Sequence, residues 1–178
     1  VAVSTRSVSI GANTPRISGN LSQYALIRRL RLFTVLYAVS GSKTSIGRCV
    51  FEKNILPTID DKKSDLVFSY GNVDVKSSSY FDNECGNLVS VTSVDVENST
   101  FVKNDVSSII YQSNSGDIFR LSNNTIISNR ASSYPLHSNS SAKAYFYGNV
   151  ILDNKLDEEK SATGFVSGEL SEFYNIQE

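Results

Sequence analysis

Histidine occurs once, cysteine twice, proline three times, and methionine and tryptophan are absent from these 178 residues. A single histidine, His137, excludes a histidine acid–base pair and a His-rich metal site. It is expected in a Ser/Asn-rich loop with no Asp placed to orient it, and a Ser–His–Asp assignment would be arbitrary in a chain so full of Ser. Cys49 and Cys85 give neither a disulfide framework nor metal-ligand spacing. They read as buried small apolar residues, with a disulfide between them as the lesser alternative. No glycine loop suited to phosphate is present, and no basic patch is interleaved with aromatics. The net charge of −1 supplies no drive toward nucleic acid or anionic lipid. The longest apolar candidate, residues 30–39, is broken by Arg31 and Thr34 and is too short to span a bilayer. No basic segment leads into an apolar one after Val1, so no signal peptide is expected. The missing methionine suggests a piece processed from a longer product.

What is abundant is Ser, Asn, Val, Ile, Tyr and Phe, a bias toward strands joined by polar turns. Sequons stand at Asn20, Asn98, Asn123 and Asn139, about as many as chance supplies in such a composition, and they carry no argument for secretion.

One template returns along the chain. VDVENSTFVKN fills residues 94–104, and 25 residues later FRLSNNTIISN fills 119–129. Another 25 residues on, AYFYGNVILDN fills 144–154. Upstream stand VDVKSSSYFDN at 73–83 and TSIGRCVFEKN at 44–54, with a faint first copy, IGANTPRISGN, at 10–20. Each copy alternates apolar and polar residues, passes two small polar positions, and ends on an apolar residue followed three places later by Asn. These pairs are Ile17/Asn20, Phe51/Asn54, Tyr80/Asn83, Phe101/Asn104, Ile126/Asn129 and Ile151/Asn154. A further apolar cluster follows each Asn, as at Leu66 to Phe68 and Ile109 to Tyr111.

Strands this short cannot bury an inward face alone. Stacked coils can, each against the next about 4.8 Å away. The sequence therefore predicts an all-β, right-handed parallel β-helix of about six coils of roughly 25 residues. Val73, Val94, Phe119 and Ala144 form one inner column, and Val75, Val96, Leu121 and Phe146 another. The repeated Asn suits a turn, since it tolerates left-handed backbone and its amide can join a ladder of like amides. A β-sandwich gives no reason for a 25-residue return, and Asn-Gly or Asp-Gly hairpins are lacking. A leucine-rich solenoid needs a Leu pattern that is missing.

The units FEKN, YFDN, FVKN, IISN and ILDN resemble the F-x-x-N repeats of polymorphic outer-membrane proteins, an autotransporter-type adhesin family. More loosely they resemble the pectin-lyase-like superfamily. The resemblance covers roughly residues 10–165. It implies a passenger-type β-helix with a surface role, and enzymes of the looser group place Asp and Arg on an outer sheet.

A single domain is expected over residues 1–178. Residues 1–43 form an irregular N-terminal cap and first coil, 44–168 the regular coils, and 169–178 a C-terminal cap. Arg28, Arg29 and Arg31 read as a solvated edge of an amphipathic cap or an extra pair of strands. The tail should fold over the last coil, with Phe173 or Tyr174 on the open core. Insertions at 57–65, 130–141 and 155–163 all follow an Asn and should share one corner.

Stacking in register also aligns outward residues. Asp74, Asp95, Arg120 and Tyr145 form one outer column; Lys76, Glu97, Ser122 and Tyr147 form the next. Rings stack on sugar faces and carboxylates accept hydroxyl protons, so Asp74, Asp95, Arg120, Tyr145 and Tyr147 are the candidate ligand contacts. Carboxyl pairs at about 5 Å also serve retaining glycosidases. The plainer reading is cross-strand charge pairing, Lys76 with Glu97 and Asp95 with Arg120; only Asp74 beside Asp95 departs from it. The expectation is a non-enzymatic surface adhesin or scaffold, extracellular or at the cell surface. Its partner would be a glycan or a protein, with end-to-end assembly contacts and no cofactor, metal, nucleic acid or direct membrane span. A polysaccharide lyase or glycosidase on the same fold is one alternative, and a subunit of a larger assembly another.

Overall fold

The computed structural model describes residues 44–58, 62–113, 118–138 and 144–156 in full, with the backbone of the strands beyond them. The chain is all-β and winds as a parallel β-solenoid, sending strands in rotation to three eight-stranded sheets. Sheet 1 takes Lys43–Gly47, Asn72–Lys76, Ser93–Glu97, Phe119–Ser122 and Lys143–Tyr147. Sheet 2 takes Val50–Glu52, Ser79–Phe81, Thr100–Val102, Thr125–Ile127 and Val150–Leu152. Sheet 3 takes Val67–Ser69, Glu84–Val91, Asp105–Gln112, Arg130–Ala131 and Lys155–Leu156, with Leu136–His137 alongside.

The alternation in the template sets these strands and their inward faces. Val75, Val96, Leu121 and Phe146 lie in register on successive strands, and so do Val73, Val94, Phe119 and Ala144. All eight are buried. Sheet 2 contributes a stack of rings: Phe51, Tyr80 and Phe101 lie nearly parallel with ring centroids 4.6 and 4.8 Å apart. That distance is the strand spacing itself and falls within the range of offset-stacked rings, so ring stacking and backbone pairing agree. Each such burial is worth about 1.5–3 kcal/mol.

Two corners per turn carry left-handed backbone. After sheet 1 it falls on Arg48, Ser77, Asn98, Asn123 and Gly148, and after sheet 2 on Lys53, Asp82, Lys103, Ser128 and Asp153, with φ between 50° and 60°. The left-handed conformation expected of the repeated Asn therefore belongs to the residue before it. The Asn itself turns inward. Asn54, Asn83, Asn104 and Asn129 each donate a side-chain N–H to the Oδ1 of the next Asn, at 2.8, 2.9, 2.9 and 2.8 Å. A buried backbone N–H needs an acceptor, and the same Oδ1 atoms accept those of Asn54, Asn83, Asn104 and Asn129.

Successive ladder residues are 29, 21, 25 and 25 apart. Five Asn positions bound four intervals, so about four regular turns replace the six expected. The difference has two sources: the six counted each Asn as a coil, and it included the copy at 10–20. Ile17 and Asn20 lie outside the described residues. The strand actually opposite Val50–Glu52 is Ala25–Arg28, with Ile27 against Phe51. Leu21–Ser22, Ala25–Arg28 and Leu36–Ala38 enter sheets 1, 2 and 3 in turn.

The tail also enters the sheets instead of crossing the end. Glu169–Phe173 pairs with Lys143–Tyr147 in parallel, and Ile176–Gln177 with Val150–Leu152. Edge backbone groups can be satisfied by one more rung as well as by a cover. Of the insertions, the first forms a small antiparallel pair, Thr58–Ile59 with Lys62–Lys63. It packs beside Gly86, whose N–H donates to the Ser64 carbonyl at 2.8 Å; a Cβ on Gly86 would collide with the Lys63 carbonyl. Residues 132–135 of the second lie along Asp105–Gln112. Both interrupt sheet 3 and do not sit at the corner before it. Ile55 already bridges Glu84 ahead of the first, and Arg130–Ala131 already pairs with Asp105–Gln112 ahead of residues 132–135 of the second. Residues 157–163 of the third lie outside the described residues.

Candidate functional site

The outer face of sheet 1 gathers the expected contacts. Asp74 stands opposite Asp95, Asp95 opposite Arg120 and Arg120 opposite Tyr145. Lys76, Glu97, Ser122 and Tyr147 follow in the second column. The reason is the strict two-residue period: with Val75, Val96, Leu121 and Phe146 inside, both neighbours of each must point out.

The charges in these columns pair. Arg120 Nη1 donates to Asp95 Oδ2 at 3.2 Å, and Lys76 Nζ lies 3.2 Å from Glu97 Oε2. The hydrogen bond and charge of Glu97 push the Lys76 ammonium pKa up. All four groups are partly exposed, so each bridge is worth little in stability. Between the acidic rungs lies an open depression of about 300 Å³ lined by Asn72, Asp74, Lys76, Ser93, Asp95 and Ile118, with Val73 and Val94 in its floor. Asp74 and Asp95 thus share one hollow. Arg120, Tyr145 and Tyr147 lie on the same face outside that lining, with Tyr147 37% exposed.

Asn72, Ser93 and Ile118 were not singled out from the sequence. They precede Val73, Val94 and Phe119, and counting one residue back along each strand would have found them. A second surface was also overlooked. Phe81, Val102, Ile127 and Leu152 lie in register on the outside of sheet 2. The signal was present, because each occupies the first variable place of the F-x-x-N unit.

His137 is in a strand of sheet 3, not in a loop as expected, and lies opposite Tyr111. Their rings stack at 4.6 Å, and burial lowers the imidazole pKa. Asp65, from the first insertion, accepts the Asn87 backbone and side-chain N–H groups at 2.7 and 2.8 Å. Burial raises its pKa, against the opposing effect of bonds from Asn87 and Ser90. No disulfide joins Cys49 and Cys85, and both are buried. Among the described residues no three His, Cys, Asp or Glu side chains gather as a metal group. No family model, curated protein or solved structure matches the chain.

Proposed function

We propose that the protein is a non-enzymatic surface adhesin or scaffold that binds a glycan or protein on the outer face of sheet 1. The observation that carries this reading is the hollow holding Asp74 and Asp95, flanked by charges already joined in pairs. Two carboxylates one rung apart offer acceptors at about 4.8 Å spacing, a fit to neighbouring sugar hydroxyls or to a basic side chain. Tyr145 and Tyr147 extend the face with rings on which a sugar can lie. In the competing enzyme one carboxyl donates a proton while the other attacks or activates water. The Asp95–Arg120 bridge suits binding better than that division of labour. The F-x-x-N likeness to polymorphic outer-membrane proteins supports adhesion and an extracellular or cell-surface location.

A panel of neutral and acidic polysaccharides, scored for both retention and cleavage, tests the reading. Retention without products, weakened at least tenfold by Asp74→Asn with Asp95→Asn at unchanged melting temperature, is the expected result. Cleavage products that vanish in Asp74→Asn would put a lyase or glycosidase in its place.

A further inference from the structure

The column of residues immediately after the ladder asparagines is sorted by sign. Glu84, Asp105, Arg130 and Lys155 stand in register on successive strands of sheet 3, and all four are exposed. Like charges on directly neighbouring strands are unfavourable; Asp74 beside Asp95 on sheet 1 is one other case, while other charged neighbours alternate. The corner column next to this one runs Lys53, Asp82, Lys103, and Lys76 pairs with Glu97. Here Glu84 sits beside Asp105 and Arg130 beside Lys155, so within the column only the middle contact joins opposite charges.

A two-fold axis changes that count. We infer that this ridge docks a second copy of the chain, side by side and antiparallel, with the dyad between the Asp105 and Arg130 rungs. Asp105 then meets Arg130 of the second copy, and Glu84 meets Lys155 of the second copy. Each contact occurs twice, and every facing pair is of opposite sign. The sorted column is complementary to its own reverse, so the second copy supplies the opposite-charge neighbours that the end residues lack within their own column. Lys63 already lies 3.1 Å from Glu84 Oε1, which places most of the attraction on the inner Asp105–Arg130 pairs. The contact is narrow and solvated, so the association is weak, salt-sensitive and suited to chains held close together. It uses sheet 3 and is independent of the ligand face on sheet 1.

Sedimentation equilibrium at low and high salt tests it with two charge-reversed forms. Glu84→Lys with Asp105→Lys makes the column wholly basic; Arg130→Glu with Lys155→Glu makes it wholly acidic. The wild type should self-associate at low salt and dissociate at high salt. Each variant alone should be monomeric, and their equimolar mixture should form a heterodimer. Should a reversed form fail to fold by circular dichroism, Asp105→Asn with Arg130→Gln removes the inner pair and should weaken association at least tenfold. A wild type that stays monomeric at low salt overturns the proposal. So does a folded variant that associates as well as the wild type, or a mixture of folded variants that remains monomeric.

Discussion

The two corners of each turn share one backbone solution and differ in side-chain chemistry. Both place a left-handed residue at the bend and bury the next backbone N–H. At the corner after sheet 2 the acceptor is always an asparagine. Asn83 illustrates the result: its Nδ2 donates forward to Asn104 at 2.9 Å and back to the Phe51 carbonyl at 3.0 Å, while its Oδ1 accepts from Asn54. At the corner after sheet 1 the equivalent residues are Cys49, Ser78, Ser99, Asn124 and Asn149. Ser78 Oγ accepts the Cys49 N–H at 3.1 Å and donates to the Lys76 carbonyl of its own strand at 3.0 Å. A serine there connects two rungs, whereas an amide connects three. From Asn124 onward the first corner adopts the amide pattern, with Nδ2 donating to Asn149 and to the Val96 carbonyl. The fold demands only an acceptor; the side chain decides how many coils are tied together.

Removing one rung from each ladder should separate the corners most strongly. Asn104→Ala strips the acceptor from two donors of Asn83 and leaves the Tyr80 carbonyl and Asn129 Oδ1 without a donor they now use. A loss of about 3–5 kcal/mol is expected in denaturant unfolding. Ser99→Ala deprives only the Ser78 N–H and the Glu97 carbonyl, and should cost about 1–2 kcal/mol. Equal losses would abolish the distinction between two-rung and three-rung links.

Tyr80 lies on the strand between the corners, fully buried, and its hydroxyl has no hydrogen-bond partner. Tyr80→Phe keeps the ring stack and should raise stability by about 1 kcal/mol at neutral pH. Burial, and then the nearby Cys49, push its phenol pKa well above 10.0. The folded chain therefore keeps this proton where the unfolded chain loses it. Stability from this group is intact below about pH 10 and declines as pH rises above it. The Cys85 thiol, raised by burial and then Asp65, adds a decline starting near its ordinary value of 9.0. Melting temperature followed across this alkaline range should fall less steeply in Tyr80→Phe; parallel curves would remove Tyr80 as a cause.

The smallest expected effect is again a gain. Ser99→Asn should convert a two-rung link into a three-rung one, donating to Asn124 Oδ1 and the Val75 carbonyl by analogy with Asn124 and Asn149. A gain of about 0.5–1 kcal/mol in the same unfolding assay is expected. A loss would mean that the serine corner lacks room for the amide.

Much of this was legible because one residue type repeated. The Asn column, both inner columns of sheet 1 and its outer charges followed from period and spacing, and their registers came out residue for residue. The first-corner ladder was not legible, since Cys, Ser and Asn fill one role with three chemistries. The N-terminal phase was misplaced because Asn20 matched the template while Ile27 occupies the Phe51 register. The tail resisted for a related reason: Glu172 is in register with Phe146 and Phe173 with Tyr147, opposite to the apolar-in pattern used to read the other strands. The hollow on sheet 1 depends on side chains from neighbouring strands, which no single stretch of sequence displays.

Because Asn104 and Asn129 make the same set of contacts with the rungs on either side, the seam between coils is interchangeable. A tandem duplication of residues 104–128 would place each new junction against a surface it already fits. It would lengthen the molecule by about 4.8 Å without a new core. Reach, unlike shape, is thus a quantity that recombination within the gene can change one coil at a time, and the exposed faces would be carried outward unaltered.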